Sequence, residues 1–248
     1  MPKRAKRKQK PRVADVSPHI FTCEDKDFTR DPHENHPFSA RPDAIIGLFS
    51  RPGGGKSSIV KNFLCHGGYR KVFVAHGAGD HSKEYELVDY EPVSFDTHGP
   101  DYYVEQSKEC GGAPMVLVCD DLAYADFGKI ARANMYKIAQ FVCTHYRMTL
   151  VCTAHSWPQL VPRIRRLCTV YCLWKPSADQ IPYMARGLAC SRESLARAFA
   201  KCTGKYDFVL IERDHNERMW LRWLYNRETY NRETYYMTIL FMNTRNVI

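Results

Sequence analysis

Residues 45 to 65 constrain the fold of this chain more than any other segment. Ile45-Ile46-Gly47-Leu48-Phe49 is an apolar run of strand type, Ser50 to Gly55 is a turn ending in three glycines, and Lys56-Ser57-Ser58 opens a helical pattern. Strand, glycine turn, lysine and hydroxyls in that order read as a phosphate cradle. The loop turns its backbone N–H groups inward, and the helix N-terminus adds partial positive charge where an anion sits. Lys56 then reaches the β- and γ-phosphates, the Ser57 hydroxyl completes a Mg²⁺ shell, and Pro52, Gly53, Gly54, Gly55 and Ser58 supply the rest of the cradle. The full pattern has glycine where this chain has Ser50. A glycine turn capping an ordinary helix is the competing reading, and the strand before it with Lys-Ser in register weighs against that.

A nucleotide site of this kind needs an acidic residue at the end of a second buried strand. Met115-Val116-Leu117-Val118-Cys119 is a continuous apolar run that ends in Asp120-Asp121 and follows the turn signal Gly111-Gly112-Ala113-Pro114. Adjacent carboxylates at a strand end point in different directions and can divide the labour. Asp120 is assigned to Mg²⁺ through water and Asp121 to polarising the attacking water as general base. Alone, an apolar run with two aspartates is more often a helix cap than a catalytic pair; downstream of a phosphate loop it points to catalysis.

The remaining composition narrows the class. With 248 residues and 44% hydrophobic content the chain can bury one sizeable α/β core. No apolar run spans a bilayer and the N-terminus lacks the apolar stretch of a signal peptide, so the expectation is a protein that is not secreted. Ten cysteines suggest a disulfide scaffold at first sight, but Cys119, Cys143, Cys152, Cys168 and Cys172 sit inside apolar runs and no Cys-x-x-Cys pair occurs. They read as small buried hydrophobes in a reducing compartment. His33 and His36 lack nearby cysteines and do not make a zinc site. Of the formal +9, Lys3, Arg4, Lys6, Arg7, Lys8, Lys10 and Arg12 supply seven. Such a block does not fold alone; it suits nucleic-acid phosphates or nuclear import, against the plainer reading of a solubilising tail.

Three regions follow: a basic tail over 1–12, an extended arm over 13–42 of a kind that packs on a neighbouring molecule, and a folded domain over 43–248 with a C-terminal extension from about 176. Within the domain the pattern predicts strands at 44–49, 71–75, 115–119, 149–153, 169–174, 208–211 and about 219–224. Helices are predicted at 57–65, 102–108, 127–145 and 181–201. Strands alternating with helices imply an α/β fold with a mostly parallel central sheet flanked by helices, whose ligands collect at the carboxyl ends of strands. Tyr225-Asn226-Arg227-Glu228-Thr229 recurs at once as Tyr230 to Thr234, too short a repeat to build a repeat fold.

The strand at 149–153 runs into Thr153-Ala154-His155-Ser156 and then Trp157 to Arg166. A polar group at the tip of a strand beside the acidic one can touch the γ-phosphate or its attacking water. His155 is the first choice for that sensor and Thr153 the second. Arg163 and Arg165, with Arg166 beside them, are candidates for arginine fingers acting on a neighbouring subunit, or else form a solvated or DNA-facing helix surface. Arg147 is a weaker candidate.

The order of these motifs resembles a family. The phosphate loop, the Asp-Asp strand end, and a His-Tyr-Arg segment (145–147) before a strand with a polar tip that continues into Pro158 to Arg166 are similar to the genome-packaging ATPases of DNA viruses. These are the poxvirus-, iridovirus- and virophage-type members of the FtsK/HerA superfamily. The resemblance covers roughly residues 44 to 175; the family usually carries Gln where this chain has His155. It implies a RecA-like P-loop NTPase of the ASCE type, with ATP and Mg²⁺ as cofactors, assembled as a homo-oligomeric ring, a hexamer, at a capsid vertex or on capsid membrane proteins. Such a motor threads double-stranded DNA into a preformed shell, in the virion and in the host cell, whether in a cytoplasmic virus factory or the nucleus. The residues alone support a P-loop NTPase that meets a polyanion. A helicase or DNA-transfer motor, a small-molecule kinase and a non-enzymatic nucleic-acid-binding core protein remain as alternatives. A GTPase is disfavoured, because no Asn-Lys-x-Asp motif occurs.

Overall fold

The computed structural model describes residue 38, residues 41–77, 85, 88–122 and 124–213, and the backbone of 219–225. Its centre is one eight-stranded sheet. In chain order the elements are β1 (Ile45–Phe49), α1 (Lys56–His66), β2 (Lys71–His76), β3 (Glu91–Pro92), α2 (Pro100–Glu109), β4 (Met115–Asp120) and α3 (Lys129–Lys137). A π-helical stretch (Ile138–Val142) and the short α4 (Cys143–His145) continue α3, and β5 (Met148–Ala154), α5 (Pro162–Leu167), β6 (Val170–Trp174), α6 (Ile181–Gly187), α7 (Arg192–Ala200), β7 (Phe208–Arg213) and β8 (Met219–Tyr225) complete the order.

The sheet order is β3-β2-β4-β5-β1-β6-β7-β8. All pairs from β3 to β6 are parallel, and β7 and β8 close the sheet antiparallel. The parallel strands are apolar along their whole length because both faces are covered. In β4 the two-residue period sends Met115, Leu117 and Cys119 into one core and Val116 and Val118 into the other. Helix α1 covers the second face with Ile59, Val60, Phe63 and Leu64. The π-helical stretch and α5 to α7 cover the first with Ile138, Val142, Ile164, Met184, Leu195 and Phe199. Parallel crossovers bring the carboxyl ends of β1, β4 and β5 to one edge of the sheet, with β5 seated between the glycine-loop strand and the acid strand.

Most of the expected elements lie within a few residues of their predicted limits. Three differ. The helix expected over 181–201 is two helices, because Ala189 takes a left-handed φ of 52° and Ser191 then caps α7 by accepting the Ser194 N–H. Sequence periodicity runs on across that break, and alanine gives no turn signal there. The two-residue β3 and the six-residue α5 were not foreseen as elements. Of the expected arm, Phe38 is buried in the chain's own core, edge-on to Phe63 at 5.2 Å and stacked with Phe208 at 6.3 Å, and does not wait for a neighbour. The basic tail, most of the arm, His33, His36 and the tandem repeat beyond Tyr225 lie outside the described residues.

Nine described cysteines form no disulfide. Burial pushes the thiols of Cys119, Cys168 and Cys172 well up from their ordinary range, so they behave as packing groups. Among the described residues no helix is long and apolar enough to cross a membrane.

Candidate nucleotide site

The loop after β1 holds the shape that its glycines allow. Gly53 and Gly55 have φ of 68° and 93°, in the left-handed region that residues with a Cβ avoid. Gly54 is confined for a different reason: a Cβ there would lie 1.8 Å from Ser50 Oγ, which would have to rotate away, and 3.1 Å from Arg51 O. Ser50, at the position where the pattern has glycine, is buried and donates its hydroxyl to Arg51 O. The Gly54 N–H closes the loop on Arg51 O at 3.1 Å. Gly55 is the N-cap of α1, so the loop delivers its chain directly onto a helix N-terminus at Lys56, Ser57 and Ser58.

Lys56 is 8% exposed and its ammonium is held in two places. Nζ donates to Ser50 O at 3.1 Å and lies 3.1 Å from Nδ1 of His155, at the end of β5. The other ring nitrogen, Nε2, is 2.7 Å from Asp121 Oδ1. An ammonium only donates, so Nδ1 accepts and Nε2 carries the proton to the carboxylate. His155 thus joins the loop lysine to the second aspartate. Its own position is fixed by Gln159, whose Oε1 accepts the N–H groups of His155 at 2.7 Å and Ser156 at 3.1 Å.

The acid pair splits as its position at a strand end dictates. Asp120, the last residue of β4, is 3% exposed. Its Oδ1 accepts from Thr153 Oγ1 at 2.6 Å and its Oδ2 from the Tyr85 hydroxyl at 2.9 Å, with His76 Nε2 3.8 Å from Oδ2. Asp121 steps out of the strand with a left-handed φ of 53°, and its side chain is half exposed. Thr153 serves both acids, because the same hydroxyl accepts the Asp121 N–H at 3.0 Å. Gly77 lies against this corner: its N–H donates to Asp120 O at 3.1 Å, and a Cβ on it would come within 2.2 Å of Asp121 O.

The donors available to a metal are oxygens, the Asp120 carboxylate and the Ser57 hydroxyl beside a phosphate loop. Few oxygen ligands with room for phosphate and water suit Mg²⁺. Among the described residues no group of three or more His, Cys, Asp or Glu side chains is placed to hold a metal ion.

Lys56, Asp120, Asp121, His155 and Thr153 are therefore brought to one edge of the sheet. The arginines are placed differently. Arg165 donates to Trp157 O at 2.7 Å and lies over the Trp157 ring, and burial lowers its pKa from the usual guanidinium value. Arg163 is exposed and lies over the Tyr136 ring. Arg147 has a left-handed φ and its carbonyl accepts the Met115 N–H, a place in the β4–β5 corner. Lys3, Arg4, Lys6, Arg7, Lys8 and Lys10 lie outside the described residues. Tyr85, Gly77, His76 and Gln159 were not singled out from the sequence. Gln159 stands four residues past His155 in a segment already under suspicion, whereas nothing in the sequence around Tyr85 marks it as the partner of an acid.

Glycine loop, buried acid and inserted strand together define the fold as that of a P-loop NTPase. No protein-family model matches the sequence, and no curated protein matches it. Among solved structures, the chain is similar to the genome packaging NTPase B204 from Sulfolobus turreted icosahedral virus 2. The sulfate complex matches with a TM-score of 0.51 at 15% identity over 75% of this chain and 97% of that one. The AMPPCP complex matches with a TM-score of 0.52 at 16% identity over 75% and 98%. B204 from Sulfolobus Turreted Icosahedral Virus, described as a DNA-packaging ATPase, matches with 0.50 at 13% identity over 75% and 98%. At such identities the likeness is one of fold, and it agrees with the family resemblance of the motifs.

Proposed function

We propose that this chain is an ATP-driven motor that packages double-stranded viral DNA into a preformed capsid. The observation that carries the reading is the bridge from Lys56 through His155 to Asp121, beside a buried Asp120, on the fold of viral genome-packaging NTPases. The loop N–H groups and Lys56 bind the phosphates and stabilise the charge that develops in transfer. Asp121 accepts a proton from the attacking water as the bond between water oxygen and γ-phosphorus forms and the bridging bond to the β-phosphate breaks, releasing ADP and phosphate. Ser57, and Asp120 through water, would hold Mg²⁺, which would supply further neutralisation of phosphate charge. His155 orients Asp121; when Lys56 turns to phosphate it leaves Nδ1, and the sensor feels which nucleotide is bound.

The wider reading follows the family resemblance. The chain forms a homo-oligomeric ring, a hexamer, at a capsid vertex or on capsid membrane proteins. It works in the virion and the infected cell, with Arg163 or Arg165 acting across the subunit boundary and Lys3 to Lys10 on DNA phosphates. The test is displacement of a third strand from a triplex on long duplex DNA. Displacement that needs ATP and is lost in Lys56→Ala is the expected result. ATP hydrolysis without any displacement, with or without capsid protein, would sink the motor and return the chain to the ordinary P-loop ATPases or kinases.

A further inference from the structure

Asp120 is gripped by a hydroxyl that comes from outside the glycine loop, the acid strand and the sensor strand. Side chains alternate along β4, and Val116 and Val118 enter the core that α1 covers, so Asp120, two residues further on, faces the same side. Ser57 stands in the first turn of α1, on that side of the sheet. Tyr85 enters this corner from the segment between β2 and β3. Its ring is fully buried in the same core and meets Tyr90 edge-on, with centroids 6.4 Å apart and planes at 73°. The Val88 N–H donates to Tyr85 O at 2.8 Å and turns the chain there, and Val88 packs into the same core. A phenol carries its hydroxyl rigidly on the ring, so packing of the ring fixes where the hydroxyl sits. It sits 2.9 Å from Asp120 Oδ2 and donates to it.

We propose that Tyr85 is a positioning residue for the divalent cation that accompanies a bound nucleotide, acting through Asp120. The inference rests on the reading of the chain as an ATP hydrolase that uses Mg²⁺. A carboxylate that is 3% exposed stays ionised where hydrogen-bond donors meet it, and its orientation follows theirs. Thr153 Oγ1 donates to Oδ1 at 2.6 Å and Tyr85 donates to Oδ2, so each oxygen is pinned from a different element. Two pins fix the rotation of the carboxylate plane, which one pin leaves free. His76 Nε2 lies 3.8 Å from Oδ2, beyond hydrogen-bond reach, and does not stand in for the phenol. Thr153 also accepts the Asp121 N–H and so couples the two acids, whereas the bond from Tyr85 bears on Asp120. Losing a group that orients a metal-holding side chain typically costs about 10–100-fold in metal affinity.

Binding, not turnover, is the readout that tests this. Affinity of the full chain for a fluorescent non-hydrolysable ATP analogue is measured in excess EDTA and across a Mg²⁺ titration, with melting temperature as the folding check. Wild type, Tyr85→Phe, Asp120→Asn and the double variant are compared; Tyr85→Phe keeps the buried ring and removes the hydroxyl alone. The expected result for Tyr85→Phe is a Mg²⁺ midpoint raised about tenfold or more, with affinity in EDTA within about twofold of wild type. Added to Asp120→Asn, the same substitution should raise the midpoint no further, because its effect passes through Asp120. An unchanged midpoint in a folded Tyr85→Phe protein would overturn the inference and leave the hydrolase. Equal losses with and without Mg²⁺, or a full further rise in the double variant, would also overturn it, since either marks a packing role. A wild type that binds the analogue equally with and without Mg²⁺ would overturn the metal assignment itself, and one that binds no analogue would overturn the hydrolase.

Discussion

Gly77→Ala is the smallest change expected to disable this site without touching a catalytic group. Gly77 follows β2, and its backbone lies against Asp121: an added Cβ would be 2.2 Å from the Asp121 carbonyl oxygen and 3.1 Å from its carbonyl carbon. Real Cβ contacts essentially never fall under 3.0 Å, so the corner has to open by about 0.8 Å. The obstacle is backbone, not a side chain that can swing away. The Gly77 N–H also donates to Asp120 O, so the shift drags the ends of β2 and β4 apart. Overpacking of this kind costs about 1–3 kcal/mol of stability. Its larger effect is on chemistry, because displacing a reacting group by about 1 Å costs on the order of 10²-fold in rate. The expected outcome is a fall in kcat for ATP hydrolysis of about 10²-fold, with ATP-analogue affinity held within a fewfold because Gly53 to Lys56 lie in the loop and helix that follow β1. Hydrolysis and analogue binding are measured on the same preparation, with circular dichroism to show that the fold survives. Full turnover in a folded Gly77→Ala protein would refute the claim that Asp121 acts from this corner. Equal losses in binding and turnover would show that the corner supports the loop as a whole.

Other perturbations reach the remaining parts of the site. Thr153→Val keeps the shape of a side chain that is fully buried but removes the hydroxyl shared by Asp120 and Asp121. The Mg²⁺ concentration for half-maximal hydrolysis should rise about tenfold or more, as for other groups that orient a metal ligand, and an unchanged requirement would count against Asp120 as the Mg²⁺ residue. Asp121→Asn should leave ATP binding within a fewfold of wild type and stop hydrolysis; loss of binding as well would move Asp121 into the metal shell. Arg163 and Arg165 can be told apart by mixing wild-type with variant subunits. Arg163→Ala should poison activity more than in proportion to its fraction, since Arg163 is exposed, while Arg165→Ala should lower the melting temperature because Arg165 holds Trp157 O. A linear fall with Arg163→Ala would remove it as a residue acting in trans.

The glycine loop was legible because its conformation is local. Strand, glycines, lysine and helix occupy residues 45 to 66 without a break, and each states its conformation through its own residue type. The acid pair was legible for a similar reason, since an apolar run long enough for a buried strand has to end somewhere and here it ends on two carboxylates. What the sequence did not carry is which strand lies beside which. Lys56, Asp121 and His155 meet only because β5 sits between β1 and β4, and no local pattern encodes that order. Tyr85 reaches Asp120 from a segment with no periodicity, so its role is visible only in three dimensions. The split of the helix expected over 181–201 went unread for the opposite reason: Ala189 adopts a left-handed turn that alanine rarely announces, and the apolar spacing continues on either side.

The most direct measurement is ATP hydrolysis by the purified full chain with and without long double-stranded DNA, using Lys56→Ala as the blank. The account predicts turnover above the blank and a clear rise when duplex DNA is added. Turnover indifferent to DNA over a range of salt would contradict the motor, and turnover equal to the Lys56→Ala blank would contradict the hydrolase itself.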